Sequence, residues 1–388
     1  MDYEVGLRHM VIRKNEYFPN LDSLRFVSFL LVFISHCFSF LGYQPSNDLV
    51  SKCIYYLTLN GDLGVHFFFV LSGFLITIKL LDEKSESGSI DLVQFYKKRI
   101  LRIWPVYFLV LLGVSASGVL MTAVTPTGFP LSAQFDRTAF YFYLFFLGNF
   151  EFIAHGIKNN FITILWSISV EEQFYALSPL LIRLTQLRKL VFVFLGLALM
   201  GLGYRFLACE VGDMPFKYSS FSMMYNLVLG CLAAWLTRNS AQVTNYFKHA
   251  SRVQIIILYT IGILLLPLRR LAWDATFINR LLANGIYILE GLFFAYIILE
   301  QNIAVHSFYK AGSSRVFSVL GKRTYAMYAY HLIAFLASVV IAKSLGFVGV
   351  PSSLSDFLLI ASLALMITLG AAEVSYRTLE KWFLSLRG

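Results

Sequence analysis

Ten apolar stretches, most of them close to 20 residues long, recur along this chain of 388 residues. In a bilayer core a backbone of that length satisfies its hydrogen bonds as a helix. Only 14% of the residues are charged, against about 25% in soluble domains. The sequence therefore predicts an all-α, polytopic membrane bundle, with helices near residues 21–42, 60–81, 103–122, 168–186, 190–208, 220–237, 253–269, 281–300, 322–343 and 354–376.

Lys and Arg collect in the loops between these stretches, as in cytoplasmic loops that face anionic lipid. The net charge of +10 therefore favours a membrane surface over nucleic acid. Loop charges predict ten helices with both termini cytoplasmic, although Arg269, Arg270 and Arg280 would then lie outside. The apolar segment 138–152, if it crossed the membrane, would give an odd number of crossings between two loops that are both predicted to be cytoplasmic. It is also short, so we expect it to be re-entrant or interfacial. We expect one domain over 1–388, with a cytoplasmic segment 1–20 and a tail 377–388.

His36 lies inside the apolar run of the first predicted helix, where an ionisable side chain usually indicates a functional site. Arg25 precedes it by eleven residues, about three helical turns, so both side chains share one face about 16 Å apart. A site that crosses much of the membrane is one interpretation. In the other, Arg25 reaches the headgroups and His36 hydrogen-bonds a neighbouring helix.

Arg99 and Arg102 are spaced i, i+3 at the start of the third predicted helix, so they project together. Two guanidinium groups in that position suit phosphate binding. The alternative is a positive-inside anchor with an interfacial belt of Trp104 and Tyr107.

Glu171 and Glu172 follow Trp166 and Ser169 at the start of the fourth predicted helix, which enters from outside. Adjacent residues lie about 100° apart on a helix, so only one carboxylate can face a given groove. That carboxylate could orient a histidine, or both could stabilise a helix N-terminus. His331 is a second histidine within a predicted apolar helix. It could be a hydrogen-bonded packing residue or a site residue.

The four cysteines, Cys37, Cys53, Cys209 and Cys231, are scattered without C-x-x-C spacing, so the sequence predicts no metal site.

Four motifs in this order resemble the acyltransferase-3 family of integral membrane acyltransferases. They are 21–25 with His36, 64–74, 95–105 and 166–175. Segments 328–331 and 376–381 fit more loosely, and the resemblance covers about residues 17–384. The length predicts the family type without an attached SGNH hydrolase-like domain.

The resemblance implies transfer of an acyl group, commonly acetyl, from cytoplasmic acyl-CoA to a hydroxyl, often on a sugar of a polysaccharide or glycoconjugate. His36 matches the family's essential histidine, Arg25 its paired basic residue, and Arg99 with Arg102 its R-x-x-R motif. His66, Asn226 and Trp382 depart from the family pattern, which affects the identity of the acceptor more than the activity.

On this interpretation His36 is the general base, and one of the two glutamates orients it or stabilises its charged form. The other expected site residues form two groups: Arg25, Arg99 and Arg102 for acyl-CoA, and Trp166, Ser169, Tyr330 and His331 for the acceptor. We expect acetyl-CoA as donor, no metal, no nucleic acid, and a multi-pass protein of the plasma (inner) membrane. The alternative is a transporter of polysaccharide or lipid-linked sugar, although internal repeats typical of transporters are not evident.

Overall fold

The computed structural model describes residues 17–41, 61–124, 136–157, 159–211, 213–266, 268, 276–346, 351 and 353–387, and leaves out the side chains of 117–124, 209–211 and 213. Cys53, Arg269 and Arg270 lie outside these ranges, as does residue 125. Within the ranges the secondary structure is helical and contains no strand, which confirms the predicted all-α class.

Seventeen α-helices follow one another along the described chain, with two 3₁₀ turns and a π turn between some of them. They are α1 Pro19–Leu41, α2 Asp62–Ser87, α3 Leu92–Val124, α4 Arg137–Leu144, α5 Gly148–His155, α6 Asn160–Thr163, α7 Trp166–Leu184, α8 Leu190–Val211, α9 Asp213–Tyr218, α10 Ser220–Asn239, α11 Ala241–His249, α12 Arg252–Leu265, α13 Phe277–Ile303, α14 Arg315–Gly321, α15 Thr324–Ser344, α16 Leu354–Ser375 and α17 Lys381–Ser385. A π turn, Tyr376–Glu380, joins α16 to α17.

Eight helical stretches of the described chain are long and apolar enough to cross a membrane: Pro19–Leu41, Asp62–Ser87, Leu92–Ala116, Leu187–Ala208, Met214–Asn239, Phe277–Ile303, Thr324–Ser344 and Leu354–Ser385. Helices α11 and α12 make a ninth if the pair, bent by 99°, is one broken span. Helix α7 covers the remaining predicted span, but it contains Glu171, Glu172 and Arg183. The polytopic helical class is therefore confirmed, whereas ten crossings and cytoplasmic termini stay predictions.

The segment expected to be re-entrant or interfacial forms the two short helices α4 and α5. Each has eight residues, about 12 Å of helix, which is too short to span a hydrocarbon core. Phe146, between them, has a positive φ of 56°. A side chain at Gly148 would meet the ring of Tyr143 at 2.1 Å, so the turn requires glycine there.

Contacts divide the chain into two compact units, each assembled from separated segments. Unit A comprises the chain up to Arg25, His66–Leu92 and Glu171–Val319, and unit B comprises Phe26–Val65, Val93–Val170 and the chain from Leu320 onward. A single domain over 1–388 stays a prediction.

In unit A, helices α2 and α10 approach each other at two glycines. A Cβ on Gly73 would lie 1.9 Å from the carbonyl oxygen of Leu227, and one on Gly230 would lie 2.1 Å from that of Val70. Small residues allow such close packing of membrane helices. At Gly73, a small residue of the 64–74 motif therefore serves helix packing.

Candidate active site

In unit B, His36 of α1 and His331 of α15 form a hydrogen-bonded pair. The distance between His36 Nδ1 and His331 Nε2 is 2.7 Å, the two ring centres are 5.0 Å apart, and the ring planes are only 9° from parallel. His331 is completely buried, while His36 is half-buried. The structure thus brings together two histidines that are 295 residues apart in the sequence.

The hydrogen bond of the second ring nitrogen of His331 determines which nitrogen of each ring carries a proton. His331 Nδ1 lies 2.6 Å from the backbone carbonyl oxygen of Tyr328, and a carbonyl can only accept, so this nitrogen carries the hydrogen. In neutral His331, Nε2 is then the acceptor, and His36 Nδ1 donates to it. His36 Nε2 keeps its lone pair, and it has no hydrogen bond to the described part of the chain. A neutral imidazole in this tautomer is a base.

Aromatic rings hold the histidine pair in place. Phe29 meets the ring of His331 edge-on at 6.1 Å, and Phe40 meets that of His36 at 5.1 Å. Tyr328 is fixed in turn, because its hydroxyl lies 2.8 Å from Ser167 Oγ. Tyr328 and Ser167 were not among the expected site residues. Neither is ionisable near neutral pH, so no charge pattern in the sequence marked them.

Trp166 and Ser169 lie at the start of α7, also in unit B. Trp166 is half-buried. Ser169 is fully buried, and its hydroxyl donates to the carbonyl oxygen of Leu165 at 3.2 Å. Acceptor binding by these two residues stays a prediction.

Arg99 and Arg102 lie on α3 in unit B, both half-buried. The guanidinium of Arg99 lies 5.6 Å from the ring centre of Phe95. Arg102 lies within electrostatic range of the buried carboxylate Glu380 and of Arg387. Beyond the spans, burial and the charge of Arg102 lower the pKa of Arg387.

Helix α15 connects the arginine region with the histidine pair. Near its start, the hydroxyl of Tyr325 donates to the carbonyl oxygen of Ile103, next to Arg102, at 2.8 Å. Six residues separate Tyr325 from His331, a rise of about 9 Å along the helix. Measured along α15, the arginines of α3 and the histidine pair therefore lie at different levels of unit B.

Tyr330 points to a second set of partners in unit B. Its hydroxyl lies 3.0 Å from Ser375 Oγ, and that hydroxyl lies 3.5 Å from Glu380 Oε1. Next to this group, Arg323 and Arg377 both pair with Glu373, at 2.6 Å and 2.5 Å. The sequence did not indicate the carboxylates Glu373 and Glu380 among the arginines.

The remaining expected site residues belong to unit A. Arg25 forms an ion pair with Asp22 at 2.9 Å and remains partly exposed. Glu171 accepts a short hydrogen bond from the hydroxyl of Ser72, and Glu172 is half-buried beside it in sequence. Roles for Arg25, Glu171 and Glu172 at His36 stay predictions.

The described cysteine side chains, Cys37 and Cys231, are buried free thiols. Over the described ranges no cluster of three or more His, Cys, Asp or Glu side chains could hold a metal ion.

The chain is similar to named proteins over nearly its whole length. It is 29% identical over 386 residues to the O-acetyltransferase OatA of Staphylococcus aureus strain NCTC 8325 and to that of strain COL, with 94% of this chain and 57% of theirs covered. Another protein of strain COL is 27% identical over 395 residues, covering 96% of this chain and 58% of its own. The chain thus spans about three fifths of the length of these curated relatives. No solved structure matches it at a significant level.

A family model described as an acyltransferase domain matches residues 18–374. This range contains the histidine pair and both arginines of the R-x-x-R motif. It is much more than half of the chain and agrees with the resemblance seen in the motifs. The chain therefore belongs to the acyltransferase-3 family of membrane acyltransferases.

Proposed function

We propose that this protein is a membrane O-acyltransferase, which moves an acyl group from cytoplasmic acyl-CoA to a hydroxyl. The acyl group we propose is acetyl. The observation that carries the proposal is the pair of His36 and His331, with the second nitrogen of His331 bonded to the Tyr328 carbonyl. This series of hydrogen bonds holds the imidazole of His36 as a neutral base inside an apolar bundle. The O-acetyltransferase names of the relatives support the same chemistry.

Arg99 and Arg102 would bind the phosphates of acyl-CoA, since guanidinium groups form strong charge-assisted bonds to phosphate. The contact of Tyr325 with Ile103 puts the arginine level about 9 Å from His331 along α15. The flexible arm of CoA bridges a separation of this order easily. The thioester would then lie beside His36.

The reaction begins when His36 Nε2 takes the proton of the acceptor hydroxyl. The hydroxyl oxygen attacks the thioester carbonyl carbon, a C–O bond forms, and the C–S bond breaks. The thiolate of CoA leaves and receives the proton from His36. Acyl ester and free CoA are the products, and the imidazole is neutral again. Direct transfer accounts for every atom, whereas an acyl-histidine intermediate needs a second transfer step.

His331 would stabilise the intermediate state, in which His36 carries a positive charge. His36 Nδ1 keeps donating to His331 Nε2, and the Tyr328 carbonyl stabilises positive charge that is shared onto His331. A hydrogen bond to the charged form favours that form. His331 is thus a positioning residue in this proposal, a role that the sequence had left open.

The acceptor class we propose is a sugar hydroxyl of a polysaccharide or glycoconjugate. It would reach the site from the external face, while the donor comes from the cytoplasm. The protein would act in the plasma (inner) membrane without a metal. A transporter of polysaccharide or lipid-linked sugar remains the alternative, since it too would place ionisable groups within helices.

Purified protein given acetyl-CoA tests the proposal through the release of free CoA, with and without sugar acceptors. We expect CoA release that increases with acceptor and is lost in His36→Gln. Absence of CoA release with every acceptor, in protein that still binds acetyl-CoA, would contradict the proposal. Sugar uptake into vesicles by the same protein would then favour the transporter.

A further inference from the structure

Arg205 of α8 is completely buried in unit A, with 1% of its surface exposed. Its Nη1 donates to the carbonyl oxygen of Phe216 at 3.2 Å and to Ser222 Oγ at 3.0 Å. Its Nε and Nη2, which form one edge of the guanidinium plane, have no hydrogen-bond partner in the described part of the chain. Buried polar groups are rarely left in this state, and each case calls for an explanation such as an unseen occupant.

Aromatic rings surround the guanidinium without satisfying that edge. Its carbon lies 3.8 Å from the ring centre of Phe216, 4.1 Å from that of Tyr287 and 5.2 Å from that of Tyr225. The face of a ring attracts a cation, but it does not accept the in-plane hydrogen bonds of Nε and Nη2. No carboxylate is paired with Arg205 in the described ranges. A buried cation of this kind requires an anion.

Asn226 of α10 lies in the same core and is fully buried. Neither its Oδ1 nor its Nδ2 has a hydrogen-bond partner among the described residues, and Oδ1 of Asn284 also has none. Oδ1 of Asn226 lies 3.2 Å from where a Cβ on Gly291 would stand. A donor and two acceptors are therefore unsatisfied on α10 and α13, the helices whose Tyr225 and Tyr287 rings contact the guanidinium.

A buried acid–base pair completes this polar core. His66 Nδ1 lies 2.6 Å from Glu290 Oε1, and the ring of His66 lies 5.8 Å from that of Tyr287. Asn284, Tyr287 and Glu290 are spaced three residues apart on α13, so they lie on neighbouring positions of one helix side. Contacts therefore run from Arg205 through Tyr287 to the His66–Glu290 pair.

We propose that this core of unit A, the Arg205 core, is a binding site for the oxyanion of an acidic, hydroxyl-bearing sugar. The inference rests on the proposed function, because such a sugar would be the acyl acceptor. The free Nε–H and Nη2–H edge matches a carboxylate or a phosphate with two parallel hydrogen bonds. The amide of Asn226 donates and accepts, as a sugar hydroxyl requires.

Water alone explains less of the core. An ordered water would satisfy the amide of Asn226, as buried waters commonly do. It would leave the guanidinium of Arg205 without a directly paired anion. On the orientation predicted from loop charges, α8 ends and α13 begins on the external side, so the Arg205 core would lie toward the face from which the acceptor comes.

Binding of three sugars to purified protein tests the site: glucuronate, glucose 1-phosphate and neutral glucose, with inorganic phosphate as a fourth ligand. Isothermal titration and the shift of the unfolding temperature in detergent measure binding. We expect at least one acidic sugar to bind about tenfold to a hundredfold more tightly than glucose, the range of one charged contact. Comparing the two acidic sugars separates carboxylate from phosphate, and inorganic phosphate shows whether the sugar contributes.

Variants of Arg205 and Asn226 test whether binding of acidic sugars depends on the Nε and Nη2 edge of the guanidinium. Arg205→Gln should remove the preference for acidic sugars, and Arg205→Lys, which keeps the charge without the planar edge, should weaken it about tenfold. Asn226→Ala should weaken all sugars, and the exposed Arg252→Gln should change nothing. If Arg205→Gln does not fold, sugar binding by Arg205→Lys and Asn226→Ala still tests whether the Arg205 core is the site.

Equal binding of all sugars, binding of none, or parent-like binding by Arg205→Lys would overturn the Arg205 site and leave a water-filled core. Free CoA released from acetyl-CoA by the same preparations keeps the two proposals apart. His36-dependent release without acidic-sugar preference overturns this site alone. Acidic-sugar binding without any His36-dependent release overturns the proposed transferase and supports the site as a binding site.

Discussion

His36 Nδ1 and His331 Nε2 are 2.7 Å apart, in rings whose planes are nearly parallel. The bond from His331 Nδ1 to the Tyr328 carbonyl decides which nitrogen of each ring carries hydrogen. His331 thus occupies the position in which hydrolytic triads have a carboxylate.

Replacing His331 by alanine should lower kcat by about 10² or more, because a catalytic histidine in the wrong tautomer is a poor base. The KM for acetyl-CoA should change little, since His331 lies away from the arginines. His331→Gln offers both an acceptor and a donor in place of the ring, so it should recover part of kcat. Steady-state kinetics of both variants measure this split. An unchanged kcat in His331→Ala would remove the positioning role.

His36→Ala and His36→Gln should abolish transfer, with a loss of at least about 10²–10⁴ as for other general bases. Both proteins should reach the membrane at normal abundance, which immunoblotting of membrane fractions checks. The imidazole has little structural role beyond the bond to His331, so folding should survive. Full activity in a well-expressed His36→Gln protein would refute the assignment of His36 as the base.

Arg99→Ala and Arg102→Ala should each weaken acetyl-CoA binding by about one to two decades, the contribution of a charged contact to phosphate. Equilibrium binding to the purified variants measures the change. Arg137, exposed on α4, is a matched control, and Arg137→Ala should bind as the parent does. If both test variants also bind like the parent, the arginines serve only as a membrane anchor.

Gly73→Ala should destabilise the protein by about 1–3 kcal/mol through overpacking, because its Cβ would lie 1.9 Å from the carbonyl oxygen of Leu227. Gly196 on α8 has open space around it, so Gly196→Ala should be neutral or slightly stabilising. Thermal unfolding in detergent compares the two variants. Equal unfolding temperatures would show that α2 and α10 can separate at no cost.

Cysteine labelling tests the sidedness that loop charges predict. Cysteine at Ser87, at the end of α2, should be shielded from an impermeant thiol reagent in intact cells, and cysteine at Thr125 should react. Native Cys53 must be replaced first, because it is predicted to be external. Reaction of Ser87→Cys from outside would invert the predicted topology and remove the case for transfer across the membrane.

The helices were predictable from the sequence, and His36 was identifiable as a candidate, because hydropathy and an ionisable group within an apolar run are local signals. The contact with His331 was not, since 295 residues separate the two rings and no periodicity encodes which helices meet. For the same reason Glu380 near Arg102 escaped notice. Arg205 was hidden within an apolar run, where its burial depends on contacts with α9, α10 and α13.

The direct hydrogen bond between the two imidazoles, with the Tyr328 carbonyl on the far nitrogen of His331, leaves the resting histidine pair without formal charge. A histidine–carboxylate dyad at the same depth would place a permanent negative charge in a low-dielectric medium, with its large solvation cost. Here charge arises only while the proton is in transit. The membrane potential therefore has no charge on the histidine pair to act on between turnovers.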